Sequence, residues 1–267
     1  MKLLHAMATM MLTPALFAGP VGEEKDWKLV FDDDFSGSTL NQGKWSYNYP
    51  WGSMHNHMAY MDAQNVRVAD GKLVIRARPE RHPKAKDTAK FNGKILPVPY
   101  QAGAIHSKGK FEVTHGYIEA RLKVPKGRGF WPAFWLLPKD GAWPPEIDVM
   151  EILTSNPHRN HVALHYGKDW RDHRSHGQWI EKMPDLSADF HDYGVHWTAE
   201  FIDFYFDGKR VKRVTDRAAI KHTEKPMFLL INLGVGAWEK KPDETTIWEK
   251  NYYEIDWVRV WKPRRGR

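Results

Sequence analysis

The chain contains no cysteine among its 267 residues, which excludes both disulfides and thiolate metal sites. It also has no apolar run long enough to cross a membrane. The longest, from about Ala6 to Ala18, falls short of the roughly 20 residues a spanning helix needs. Internal repeats, low-complexity blocks and Gly-, Ser- or Pro-rich linkers are missing. With 42% hydrophobic residues, a chain of this length is therefore expected to form one domain, 23–267, around a single large core. An acidic excess is absent too. The net charge is +7, with basic residues bunched in RARPERHPKAK and in the terminal KPRRGR, which read as a loop and a solvated tail. Such a balance admits an anionic polymer as substrate. A nucleic-acid partner would need basic and aromatic residues interleaved on one face, a pattern that is not evident.

The opening MKLLHAMATMMLTPALFAGPVGEE joins a basic start at Lys2 to the apolar run and to small residues around Ala18 and Gly19. This predicts a secretory signal peptide over 1–22, cleaved somewhere between Ala18 and Gly22. The expected product is secreted (extracellular or periplasmic), monomeric and not membrane-bound. In an oxidising exterior without disulfides, stability must come from the core alone.

Long helical periods are lacking; short segments alternate apolar and polar residues between Gly, Pro, Asp and Asn. In GYIEARLKVP, Ile118, Ala120, Leu122 and Val124 share one face while Tyr117, Glu119, Arg121 and Lys123 share the other. Segments 201–206 and 211–214 behave alike, and Asp207-Gly208 between them signals a hairpin. Further strands are expected at 28–31, 66–68, 73–78, 105–107, 134–137, 146–153, 162–166, 193–197, 227–233 and 255–261. The fold class is all-β, a two-sheet antiparallel β-sandwich or jelly roll. Segment 79–100 reads as a long polar loop, either a subsite wall or an insertion without a role.

The stretch EIDVME carries the chemistry. In a regular strand Glu146 and Asp148 share a face and Glu151 points to the other. A β-bulge with Met150 as its extra residue turns Glu151 back, so that three acids line one surface over Ile147, Val149 and Ile152. Like charges so placed raise each other's cost of ionisation, and a strand selected for stability alone would avoid them. Glycoside hydrolysis uses them: one carboxylate attacks the anomeric carbon and a protonated partner gives its proton to the leaving oxygen. With Cα atoms on the order of 13 Å apart at strand rise, Glu146 and Glu151 must lean inward over a concave sheet. Asp148 between them separates the two into a base-like and an acid-like member.

Aromatic residues crowd the same region. Of 13 tryptophans, Trp131 and Trp135 in GFWPAFWLLP directly precede the acids, and Trp51, Trp143, Trp170, Trp179 and Trp238 add to them. Pyranose rings present flat C–H faces to aromatic planes, so tryptophan is an expected lining of a sugar groove. His165 in LHYG offers a donor to a substrate hydroxyl or to the acids. His55, Asn56 and His57 form a polar knot that suits substrate contacts better than a zinc site.

These motifs resemble glycoside hydrolase family 16: FWPAFWLLP, EIDVME, LHYG, INLGVG and YYEIDWVRVW follow in the family's order from FDDDFSG to Trp261. The resemblance implies a jelly roll with a concave cleft and a retaining double displacement. It makes Glu146 the nucleophile, Asp148 the assisting acid and Glu151 the general acid/base. The bulged motif resembles that of laminarinases, not the regular one of lichenases. Where laminarinases carry a run like NNE before an aromatic Tyr, this chain has MHNHMAY, so only Asn56 and Tyr60 carry over. With Trp131, Trp135, His165 and Trp238 they complete the expected substrate-binding set. No cofactor is expected for catalysis; a structural Ca²⁺ is implied at Asp256, which matches the family's position for it. The expected activity is endo-cleavage of β-1,3 or mixed β-1,3/1,4-linked glucan. Depolymerisation of an acidic succinoglycan-type exopolysaccharide and transglycosylation are the other enzyme readings. A glucan-binding recognition protein is the non-enzyme reading, and the intact Glu146 and Glu151 argue against it.

Overall fold

Alternating apolar and polar residues produce strands almost throughout the computed structural model, which describes residues 19–20 and 24–264. Except for Gly19 and Pro20, the segment read as a signal peptide lies outside the described residues. Nineteen strands are seen among the described residues. In chain order they begin with β1 (Trp27–Asp33), β2 (Ser46–Tyr47), β3 (Ala59–Met61), β4 (Val66–Ala69), β5 (Lys72–Arg76), β6 (Thr88–Phe91) and β7 (Lys94–Pro97). There follow β8 (Tyr100–Ala102), β9 (Ala104–His106), β10 (Gly116–Lys123), β11 (Phe130–Pro138), β12 (Glu146–Glu151) and β13 (Asn160–Tyr166). The last are β14 (Arg174–Ile180), β15 (His191–Trp197), β16 (Ile202–Phe206), β17 (Lys209–Val214), β18 (Met227–Val235) and β19 (Tyr252–Pro263).

Two antiparallel sheets form the sandwich expected from the sequence. One runs β14-β13-β12-β11-β18-β9-β2; the other runs β17-β16-β15-β10-β19-β5-β4, with β1 also on β19. The expected hairpin joins β16 to β17, and both Asp207 (φ 46°) and Gly208 (φ 73°) take the positive φ its turn requires. Between the sheets, Ile118, Ala120 and Leu122 of β10 and Ile255, Val258 and Val260 of β19 meet Phe134 and Leu136 of β11 and Leu229, Ile231 and Leu233 of β18. Burying each such side chain is worth about 1.5–3 kcal/mol, and this core takes the place of disulfides.

Two expectations change. Segment 79–100 is not a plain loop: it holds the hairpin β6–β7, and its end at Tyr100 opens β8, which pairs in parallel with β3. The outer face of β10 is also less exposed than its polar pattern suggests. Tyr117 packs with Trp27, Tyr205 and Trp261, and its hydroxyl donates to Glu119 Oε1 at 2.8 Å. Glu119 is fully buried, and burial pushes its carboxyl up to about 8.

Candidate active site

Strand β12 carries the three acids, and its pairing explains how they share a face. Against β11, Phe134 is opposite Met150 and Trp135 is opposite Asp148, so Val149 is the residue without a partner. Against β13, Val149 and Met150 together fill the interval between Asp148↔Ala163 and Glu151↔His161. The expected bulge is present, but its extra residue is Val149, not Met150. Both side chains turn into the core. Glu151 thereby returns to the face of Glu146 and Asp148, and all three line one cleft of about 520 Å³.

Each acid has its own partners. The Trp143 indole donates to Glu146 Oε2 at 2.9 Å, and the Trp131 indole donates to Glu151 Oε1 at 3.1 Å. His161 Nδ1 lies 3.0 Å from Glu151 Oε2. Room for this imidazole comes from Gly177, where a Cβ would stand 2.9 Å from His161 Nε2. Asp148 is 2% exposed, and its Oδ2 lies 2.9 Å from His165 Nε2. That approach is too far out of line for a hydrogen bond, so this buried oxygen has no hydrogen-bond partner among the described residues. His165 Nδ1 in turn meets His173 Nε2 at 2.7 Å.

Burial, and then the neighbouring carboxylates, push Glu146 and Asp148 well above the usual carboxylate range. The strongest neighbouring charge on Glu146 is that of Asp148 and on Asp148 that of Glu151, while His165 lowers Glu146. The pair therefore holds a proton at pH values where an exposed carboxyl has lost it.

Strand β11 paves the cleft with Trp131, Ala133, Trp135 and Leu137, and β18 adds Phe228 and Asn232. The Trp135 indole donates to Asn232 Oδ1 at 2.7 Å, which fixes the ring. Above it, His55 stacks on Trp135 (6.1 Å, 19°), and Trp51 meets it edge-on (6.3 Å, 62°). His57 accepts from the Ala59 N–H on Nδ1 at 3.2 Å and faces the Tyr49 hydroxyl through Nε2 at 2.8 Å. Burial lowers His55 to about 4 and His57 to about 3, so both are neutral near pH 7 and the His57 proton sits on Nε2.

The sequence and the fold both have known relatives. Residues 27–263 match the family described as Beta-porphyranase A-D, GH16 domain. The chain belongs to glycoside hydrolase family 16. Among curated family relatives, the Glucan endo-1,3-beta-glucosidase A1 of Niallia circulans is 31% identical over 88% of this chain and 38% of that protein. The Beta-glucanase of Rhodothermus marinus is 31% identical over 88% of this chain and 85% of its own length. The laminarinase catalytic domain of Thermotoga maritima superposes with a TM-score of 0.74 at 29% identity, covering 90% of this chain and 100% of that one. The chain spans only 38% to 48% of the first curated relatives it matches.

In this family 16 chain, Asn56, Trp131 and Trp135 line the cleft as expected. His165 stands beside Asp148, and Trp238, half-buried and not among the cleft-lining residues, packs edge-on against Trp131 at 5.4 Å. Tyr60 is not part of the cleft lining; it stacks on His82 at 4.1 Å and 5°. Sequence reasoning did not single out His161, Asn232 or Lys108. His161 is two ladder positions from Ala163 on β13 and opposite Glu151, a placement fixed only once the bulge sets the register. The setting at Asp256 does not suit calcium. Its carboxylate faces Arg121 Nε at 3.5 Å, and that guanidinium also holds Asp192 at 3.1 Å. A calcium ion needs several oxygens free of competing cations. Among the described residues, the group of three acids or histidines with ligating atoms within 4.8 Å of one another is Glu146, Asp148 and His165.

Proposed function

We propose that the chain is an endo-acting retaining hydrolase of β-1,3 or mixed β-1,3/1,4-linked glucan. The observation that carries this reading is the bulge-aligned row Glu146, Asp148, Glu151 on the floor of an aromatic cleft. Glu146 attacks the anomeric carbon while Glu151 gives its proton to the glycosidic oxygen, and the C–O bond breaks. Water then attacks the glycosyl-enzyme ester, Glu151 takes up its proton and Glu146 leaves. Asp148 carries the proton it shares with Glu146 while Glu146 attacks, keeps it through the ester stage, and shares it again once Glu146 leaves as the carboxylate. Trp143 and Trp131 aim the two glutamates. Trp135, Trp131 and Asn56 hold the sugar chain, and His165 stands against Asp148, with Nε2 2.9 Å from Oδ2. The same reading takes the enzyme as exported and monomeric, export being in keeping with the apolar run at 6–18.

Glu146→Gln keeps the shape of the side chain and removes the nucleophile. Turnover of laminarin and lichenan is expected to vanish while oligosaccharide binding persists in titration calorimetry. An unchanged hydrolysis rate would refute the mechanism.

Lys108 favours a second reading, cleavage of an acidic exopolysaccharide. It lines the cleft, lies over the Phe228 ring at 5.6 Å, and has no carboxylate within ion-pair distance among the described residues. Faster, salt-sensitive cleavage of a carboxylated polymer than of laminarin would select it.

A further inference from the structure

Segment 79–100 packs beside the cleft, where Phe91 meets the cleft-lining Trp131. Its two ends are held at its base: Arg78 bridges Gln101, and β8, which starts at Tyr100, pairs in parallel with β3, where Ala59 is opposite Tyr100. Within it, Ala85, Ala89 and Val98 form a small core of their own, and Met54 and Tyr60 pack onto that core. Tyr60 stacks on His82, whose Nε2 lies 2.7 Å from Asp62 Oδ2; Arg81 donates to the Ala85 carbonyl at 2.8 Å. Met54 directly precedes His55 and Asn56 of the cleft, so the insertion and the cleft rim are continuous.

At the far end, hairpin β6–β7 turns through Asn92 (φ 46°) and Gly93 (φ 77°). The turn follows Phe91, whose ring meets Trp131 edge-on, with centroids 6.0 Å apart and planes at 75°. Trp131 is the residue that donates to Glu151. A half-buried phenyl ring thus stands beside the indole nearest the acid, on a hairpin with its own packed base.

We propose that hairpin β6–β7 is a fixed wall of the cleft on the Glu151 side and that Phe91 forms a sugar subsite there. Its ring and that of Trp131 make an aromatic corner for one pyranose unit of a bound β-linked polysaccharide. This rests on the hydrolase reading above. Phe91 is a binding residue and takes no part in proton transfer. Its contribution is realised only by chains long enough to reach it, since an aromatic face acts on a sugar through direct contact.

The test compares wild-type protein with Phe91→Ala and Phe91→Trp on laminarin oligosaccharides of increasing length and on a short aryl β-glucoside oligomer. Phe91→Ala is expected to lose about fivefold to tenfold in kcat/KM on the longer chains, mostly through KM, and to cleave the short aryl substrate at the wild-type rate. Phe91→Trp is expected to recover the longer chains. An equal loss at every length would make Phe91 a mere prop for Trp131 and overturn the subsite. A length profile identical to wild type would overturn it while leaving the hydrolase standing. A wild-type protein that cleaves no β-glucan would overturn both.

Discussion

Deleting Val149 tests whether the bulge exists to align the acids. Val149 is the residue without a partner in the β11 ladder, and with Met150 it faces a single interval of β13. Its removal leaves EIDME, a regular strand in which alternation alone puts all three acids on the cleft face. Pairing of Glu151 with Ala133 and His161 need not change. The cost is the burial of one side chain that is 1% exposed, together with local repacking, about 2–4 kcal/mol. For a domain of this size that lowers Tm by roughly 5–15 °C without unfolding it. Placement errors near 1 Å cost on the order of a hundredfold in rate, so reducing-sugar release from laminarin should persist within about that factor. Deleting Ile147 instead removes a residue from the regular part of β12 and turns Glu146 away from Asp148. That variant should lose all measurable turnover. A folded Val149 deletion as inactive as the Ile147 deletion would refute the role given to the bulge.

Two further outcomes follow from buried carboxyls. Because Glu146 and Asp148 sit well above the usual carboxylate range, the acid limb of kcat/KM should lie above that range as well, since Glu146 must be ionised to attack. His165 lowers Glu146 by its charge, so His165→Ala should move this limb to higher pH; an unmoved limb would contradict the coupling. Glu119 holds its proton up to about 8 in the folded state against an ordinary 4.5. A carboxyl raised on folding stabilises below its unfolded value and loses that contribution as pH rises, here across about pH 4.5–8, on the order of 5 kcal/mol. Urea unfolding at pH 5 and pH 8 should show a smaller pH dependence for Glu119→Gln than for wild type, and equal slopes would contradict the buried carboxyl.

Much of the fold was legible because its strands have unlike faces. Ile118, Ala120 and Leu122 go to the core and Glu146, Asp148 and Glu151 go to the cleft, as alternation plus one bulge requires. Which residue of the bulge lacks a partner was not legible, since Val149 and Met150 are both apolar and both buried. Strand β14 was missed because RSHGQWI is a largely exposed edge without alternation. The hairpin in 79–100 did carry a signal, Asn92-Gly93, which the surrounding lysines and prolines outweighed. Tyr60 and Asp256 were placed by resemblance alone; their surroundings, a stacked His82 and a guanidinium, are set by contacts distant in sequence. His161 reaches Glu151 across a strand pair, which no local motif announces.

The roles of the two glutamates are tested most directly by azide rescue of Glu146→Gly and Glu151→Gly on an activated aryl β-glycoside, with the product's anomeric configuration read by NMR. If Glu146 is the nucleophile and Glu151 the acid/base, azide replaces the missing nucleophile in the first variant and gives an α-glycosyl azide. In the second it replaces water in the second displacement and gives a β-glycosyl azide. The opposite assignment of α and β products, or rescue of neither variant in folded protein, would contradict the mechanism.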